Sequence, residues 1–148
     1  MSRMAGLTAA GLLRTPVRLR GIHLGYVADL VLDVERRRAL GFEVACGDEE
    51  RRFLPLSVAS VDGREIKVSS PLVLLNASEL TFYTTRGSTF LALRGTTVVR
   101  DRAAVGRLDD LVLSADGVIA EIVVDGREVE YTKDVRLGAP GTDVRRAS

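Results

Sequence analysis

The sequence has few of the residues that most often carry out chemistry. Its 148 residues include one cysteine, Cys46, one histidine, His23, and no tryptophan. A single cysteine cannot form an internal disulfide, so nothing requires an oxidising compartment. A lone histidine cannot make a metal site with this pattern of acids, and the sequence shows no acid–histidine–nucleophile set, so we expect His23 to be a surface loop residue. Glycine-rich phosphate loops and CxxC motifs are also missing, so we expect no enzyme activity, no metal and no cofactor.

Long apolar runs and an excess of charge are missing as well. No stretch of about 18 apolar residues occurs, so we expect no membrane-spanning helix and a cytoplasmic protein. Lysine plus arginine number 21 and aspartate plus glutamate 20, which argues against affinity that comes mainly from neutralising phosphates. Only Lys67 and Lys133 are lysines, so arginine supplies nearly all of the positive charge.

What the sequence does contain is an internal repeat. Residues 25–32 return at 106–113 with a shared Gly-x-x-x-Asp-Leu-Val-Leu pattern. At this offset of 81, 7 of the 18 positions in residues 15–32 are identical. A duplicated small domain explains such a match better than chance does.

Beyond the repeated strand we align the two copies at an offset of 78. This alignment pairs Glu43 with Glu121 and Phe53 with Tyr131, and it preserves the alternation of inward and outward residues. It predicts that the hairpin loop of the second copy, at Asp116-Gly117, is three residues shorter than that of the first.

Local patterns predict mostly strands. Alternating apolar residues and the Asp62-Gly63 turn predict five short strands in residues 16–69, one of them with Phe53 facing inward. We predict that Thr8 is the N-cap of a short helix before the first strand. We also predict that Asn76 is the N-cap of a helix that ends near Arg86.

The end of the second copy shows no convincing fifth strand, although Val135 and Leu137 are apolar. An unpaired sheet edge is a liability that proteins usually avoid. We therefore predict that the gap is closed by residues 72–75 or by a second chain in a homodimer.

These residues together resemble the PRC-barrel family. The resemblance rests on the short helix at 8–13, the Pro-Val strand that follows, residues 24–33, and the Phe-Leu-Pro-Leu-Ser segment at 53–57 before an Asp-Gly hairpin. The second copy keeps the repeated core but has Thr-Lys-Asp-Val at 132–135 in place of the Leu-Pro-Leu-Ser segment. The family includes domains of the photosynthetic reaction centre H subunit and of the bacterial ribosome-maturation factor.

The resemblance implies an all-β fold of two small, bent, antiparallel PRC-type β-barrels in tandem, joined by a short helix-containing linker. The expected first domain covers residues 7–70, the linker 71–87 and the second domain 88–137, followed by a flexible tail at 138–148. The implied function is a non-catalytic protein-interaction or assembly module in a bacterial cytoplasm. The alternative is an RNA- or ribosome-associated maturation factor that uses the basic loop of the first barrel.

The densest basic cluster is the candidate interaction site. We expect two arginine groups on neighbouring loops of the first copy to form it, and acidic protein or RNA would be its partner. Because acidic residues lie close by in sequence, the alternative is a solvated hairpin tip. The arginines are Arg36, Arg37, Arg38, Arg51 and Arg52.

Asp29 and Asp110 occupy the same position in each copy, between apolar residues. A buried carboxylate must accept hydrogen bonds to offset its desolvation. A catalytic or metal-binding pair would have to converge on one pocket, whereas these two belong to separate copies. We therefore predict a structural role in which each carboxylate fixes a turn by accepting backbone N–H groups.

Overall fold

The computed structural model describes residues 6–62, 64–70, 73–74 and 76–138. This part is mostly β, which confirms the all-β class, and neither of its two sheets closes into a barrel. Its helices are α1 (Ala9–Leu12), α2 (Ala77–Arg86) and α3 (Phe90–Leu93), with a 3₁₀ turn at Leu56–Val58. In chain order its strands are β1 (Leu7–Thr8), β2 (Pro16–Leu19), β3 (Ile22–Asp33), β4 (Arg38–Cys46), β5 (Arg51–Pro55), β6 (Ser60–Val61), β7 (Ile66–Lys67), β8 (Ser88–Thr89), β9 (Thr97–Arg100), β10 (Ala103–Leu113), β11 (Ile119–Val124), β12 (Arg127–Glu130) and β13 (Val135–Leu137).

Side-chain caps explain where the helices begin. The Oγ1 atom of Thr8 accepts the backbone N–H of Gly11, and Asn76 Oδ1 accepts that of Glu79 at 3.1 Å. Both N-caps agree with the sequence prediction, because short polar side chains satisfy N–H groups that the first helical turn leaves without partners. None of the helices in the described residues is long and apolar enough to cross a membrane.

The first sheet has the strand order β5-β4-β3-β2-β7-β6. Strand β3 is long enough to hold two neighbours on one edge, β2 along its first half and β8 along its second, where Val31 pairs with Thr89. Strands β2 and β7 run parallel, with Val17 opposite Ile66. The prediction of a purely antiparallel sheet was therefore wrong.

The second sheet repeats this plan with the order β12-β11-β10-β9-β13. Its long strand, β10, pairs with β9 along one half and with β1 along the other, where Leu7 lies opposite Leu113. Strands β1 and β8 are equivalent at the offset of 81, so each copy contributes its first strand to the sheet of the other. Most of the buried apolar side chains of both copies accordingly form one continuous cluster.

The two β hairpins also meet each other. The backbone N–H of Ala39 donates to Gly117 O, and that of Ile119 donates to Arg37 O, both at 2.8 Å. The loop between β3 and β4 therefore lies beside the loop between β10 and β11.

The strand registers correct the alignment of the copies after the first hairpin. Phe42 lies opposite Leu30, and Ile122 lies opposite Leu111, so the offset is 122 minus 42, or 80. The second hairpin loop is thus one residue shorter, and the prediction of three was wrong. A shift of two residues along a strand leaves every side chain on the same face, so the apolar pattern could not reveal the error.

Phe53 is buried as predicted, but on the opposite face of the sheet. Its neighbour Leu54 belongs to the main core, whereas the Phe53 ring stacks on Tyr83 of α2 at 4.4 Å between centroids. With Val31 and Leu80 they form a second, smaller core. Helix α2 therefore covers the outer face of the first sheet.

The open edge of the second sheet is filled from within the same copy. Strand β13 pairs with β9, with Leu137 opposite Val98, so the expectation that the second copy lacks this strand was wrong, and the gap that residues 72–75 or a second chain would fill is occupied. A homodimer stays a prediction. Three residues are too few for alternation to be recognised in a sequence. Of residues 72–75, Val73 and Leu74 pack against the main core, while 72 and 75 lie outside the described residues, as does the predicted tail beyond Gly138.

Candidate interaction surface

The loop between β3 and β4, residues 33–38, is called here the arginine hairpin. Asp33 organises it by accepting the backbone N–H of Arg36 at 3.1 Å and its Nη1 at 3.0 Å. Burial raises the pKa of Asp33, but these hydrogen bonds outweigh burial and hold it below its usual value. The Arg36 side chain is still 78% exposed, so most of its surface can contact another molecule.

The other two arginines of the hairpin lie at its contact with the second copy. Arg38 Nη2 donates to the backbone O of Asp116 at 3.3 Å, and Arg37 is half-buried with φ of +54°. Within the described residues neither side chain forms an ion pair. Their guanidinium groups therefore keep hydrogen-bond capacity for a ligand or partner.

Arg51 and Arg52 do not lie near the arginine hairpin. Arg51 pairs with Ala45, which lies seven positions along β4 from Arg38, or roughly 23 Å at about 3.3 Å per residue. Each of the two arginines forms an ion pair at 2.8 Å with an acid of its own hairpin, Glu43 or Asp48. The expected five-arginine cluster is therefore split into two groups, because β5 starts at the far end of β4.

Asp29 and Asp110 accept backbone N–H groups at both equivalent positions. Asp29 Oδ1 accepts from Leu30 at 2.8 Å and from Leu91 at 3.0 Å. Asp110 Oδ1 accepts from Leu111 at 2.8 Å and from Ala10 at 2.9 Å. Each carboxylate thus caps the first turn of a short helix from the other copy.

A groove of about 400 Å³ separates the arginine hairpin from α2. We call it the α2 groove; the helix contributes Phe82, Tyr83 and Arg86 to it, and the hairpin contributes Arg36. Phe82 is 48% exposed, and the Arg86 guanidinium lies 4.7 Å from the centre of its ring. The groove therefore presents an aromatic side chain next to arginines that remain accessible.

The sequence pattern did not single out Phe82 among the apolar residues of α2. Leu80 and Tyr83 are three residues apart and share one helix face, while Phe82 points elsewhere. Helical spacing was the signal that could have separated them.

The remaining sequence candidates do not join this site. His23 is exposed and lies in strand β3 opposite Arg18, whereas the prediction placed it in a surface loop. Among the described residues no three His, Cys, Asp or Glu side chains are grouped as metal ligands would be.

No family model matches the chain, and no curated protein sequence matches it.

Proposed function

We propose that the chain is a non-catalytic interaction module of the bacterial cytoplasm, built from two PRC-barrel-like repeats, that holds a protein partner in the α2 groove. One observation carries this proposal: Phe82 is 48% exposed on a helix whose other aromatic residue, Tyr83, is docked. Aromatic and arginine side chains are the residues that most often anchor protein interfaces.

The charges around the α2 groove favour a protein over a nucleic acid. Arg36 and Arg86 are matched by Asp33 and Glu35 among its lining residues. A balanced groove attracts a polar segment with an apolar anchor, whereas RNA affinity requires a surplus of cations. The partner would place an apolar side chain against Phe82 and pair its own polar groups with the flanking charges.

The PRC-type interpretation is part of the same proposal. It is supported by the sequence resemblance and by the common plan of the two copies, each with a long bent strand, a hairpin and a short helix ahead of its second strand. The exchange of first strands makes the copies depend on each other, and this suits a rigid platform for assembly.

Site-specific photocrosslinking tests the partner class. A benzophenone amino acid at exposed Thr81, beside Phe82, should give protein adducts in cells of the native host, and the same probe at exposed Arg127 on β12 should not. Phe82→Ser and Arg86→Gln should each remove the adduct. Because about half of Phe82 is buried and its ring contacts Tyr83 and Arg86, Phe82→Ser should lower the free energy of unfolding by about 1–2 kcal/mol, and circular dichroism checks that the fold is retained.

The alternative function predicts a different result in the same experiment. If the adduct is RNA, if its yield falls steeply with salt, and if Arg36→Ala/Arg37→Ala/Arg38→Ala removes it, the chain is an RNA-associated factor and the protein proposal is wrong. Adducts that survive both Phe82→Ser and Arg86→Gln would also contradict the proposed groove.

A further inference from the structure

A second cavity, of about 410 Å³, lies on the other side of the arginine hairpin. It is bounded by Val34 and Arg37 of the hairpin and by Tyr131 and β13 of the second copy. The charged side chains that line it are Arg37, Lys133, Arg136 and Glu35. Three cations thus face one carboxylate, a surplus of two positive charges.

Ion pairs with other described residues do not neutralise this surplus, although Asp134 lies close enough to Lys133 to interact with it electrostatically. Arg37, Lys133 and Arg136 form no ion pair within the part of the chain that the structure describes. The nearest acid in sequence, Asp134, accepts a hydrogen bond from Thr132 and does not line the cavity. The hairpin acid Asp33 is paired with Arg36.

The tyrosine of the cavity adds no negative charge. Tyr131 donates its hydroxyl to the backbone O of Val34 at 3.2 Å. Burial raises its pKa to about 12, so the phenol stays neutral at physiological pH.

The duplication provides an internal comparison. An equivalent cavity of about 430 Å³ lies where the 3₁₀ turn of the first copy meets the second hairpin, with Leu56 in place of Tyr131 and Asp116 in place of Glu35. Glu43 and Val123 are equivalent at the offset of 80, and their strand partners are Phe53 and Glu128. The copies therefore align at an offset of 128 minus 53, or 75, in this region, which places Lys133 at the position of apolar Val58. One arginine, Arg38, lines this cavity together with Asp116, and the two charges cancel. The fold therefore does not require the cations of the other cavity.

We propose that the cavity beside Tyr131 binds a dianionic oxoanion, the phosphate monoester group of a small molecule. The surplus of two positive charges matches the charge of about −1.5 to −2 that such a group carries at pH 7. Arginine presents a planar fork of N–H donors that fits phosphate oxygens, and lysine adds a point charge. A volume of about 410 Å³ lies within the roughly 300–1,000 Å³ typical of small-ligand pockets.

The test is a titration of the full chain with inorganic phosphate at constant ionic strength, followed by calorimetry and ³¹P NMR. Lys133→Gln and Arg136→Gln remove exposed cations and should each weaken binding about tenfold, equivalent to about 1.4 kcal/mol. Arg127→Gln removes an equally exposed cation on β12 and should leave the affinity unchanged. Circular dichroism of each variant checks that the fold is retained.

The pH dependence distinguishes phosphate from a carboxylate ligand. Inorganic phosphate should bind more tightly at pH 8 than at pH 6, because its second ionisation falls within this range and raises the dianion fraction. Absence of saturable binding, equal loss in Arg127→Gln, or tighter and pH-independent binding of malonate would each overturn the proposal. So would binding of an RNA oligomer in the absence of phosphate binding. The cavity shares Val34 and Glu35 with the α2 groove, but Lys133 and Arg136 line only the cavity, so their substitution leaves the crosslinking experiment unaffected.

Discussion

The carboxylate of Asp29 lies 3.0 Å from the backbone nitrogen of Leu91, in the first turn of a helix that belongs to the other copy. Asp110 makes the equivalent contact with Ala10 at 2.9 Å. The two residues that the duplication preserved most visibly are thus the ones that join the copies. Each carboxylate sits at a β-bulge, which turns its side chain toward the incoming helix.

Replacing Asp29 by alanine should therefore destabilise the whole fold and not one copy alone. A hydrogen bond to a charged acceptor contributes about 1.5–3 kcal/mol, and the N–H of Leu91 would lose its partner. We expect a single cooperative denaturant transition that is shifted by about 2 kcal/mol. Glu128→Gln on the exposed face of β12 is the control, and two separate transitions, or a shift no larger than that control, would contradict the interlocked arrangement.

A second prediction concerns the contact between the hairpins. Gly117 has φ of +87°, and a Cβ atom there would collide with the Cδ2 atom of Leu56. Gly126 has a similar φ of +80° and open space around the same position. Gly126→Ala should therefore cost about 1–2 kcal/mol from backbone strain alone, while Gly117→Ala should add only about 1 kcal/mol, because the colliding atom is the movable end of half-buried Leu56.

Thermal or urea denaturation of these two variants gives the difference directly. Leu56→Ala in the Gly117→Ala background should recover part of the loss by removing the colliding methyl group. Equal destabilisation by the two glycine substitutions would show that Leu56 does not press on the second hairpin in solution.

The sequence could reveal the duplication because some positions tolerate only one residue type. Gly25 and Gly106 approach other chain segments so closely that a Cβ would collide with the Ala45 carbonyl or with the Asp125 carboxylate. Such positions stay identical in both copies, and together with the N-caps and the apolar alternation they predicted most strands and helices. Helical spacing could likewise have identified Phe82 as the exposed aromatic residue of α2.

The exchange between copies could not be predicted in this way. Strand β1 would pair with the same kind of strand edge in β3 of its own copy as in β10 of the other. The local sequence pattern therefore cannot predict which of the two strands it pairs with. The candidate arginines were misplaced for a related reason: sequence proximity put Arg51 near Arg38, but the length of β4 keeps them apart. Lys133 and Arg136 lie at the second cavity because β13 pairs with β9, and β13 was too short to be recognised in the sequence.

A third prediction follows from Tyr131. Its folded pKa of about 12 lies above the unfolded value of about 10, so the folded state holds this proton more tightly. The stabilisation is fully present below pH 10 and is lost as pH rises toward 12, by no more than about 2 kcal/mol. Phenolate absorbance should show a late titration step, and Tyr131→Phe should remove that step. A titration curve that Tyr131→Phe changes only at ordinary tyrosine pH would place Tyr131 in water.

The last prediction tests the exchange itself. Fragments 1–75 and 76–148, produced separately and mixed, should form a 1:1 complex because each supplies the strand that completes the other's sheet. Two copies of one fragment could in principle make the same exchange, but the packing opposes it. Phe90 is fully buried, and its equivalent at the offset of 81 is the fully buried Ala9. Pairing two first fragments would leave an alanine in the space of Phe90, at a cost of about 3–5 kcal/mol, while pairing two second fragments would force a phenylalanine into the space of Ala9.

Native mass spectrometry of the mixture should therefore show the mixed pair in excess over either homodimer. Phe90→Ala in the second fragment should weaken the mixed pair and reduce that excess, because it removes the size difference that discriminates between partners. Fragments that remain monomeric and folded after mixing would show that each copy is complete without the other, and the shared core would then have to be abandoned.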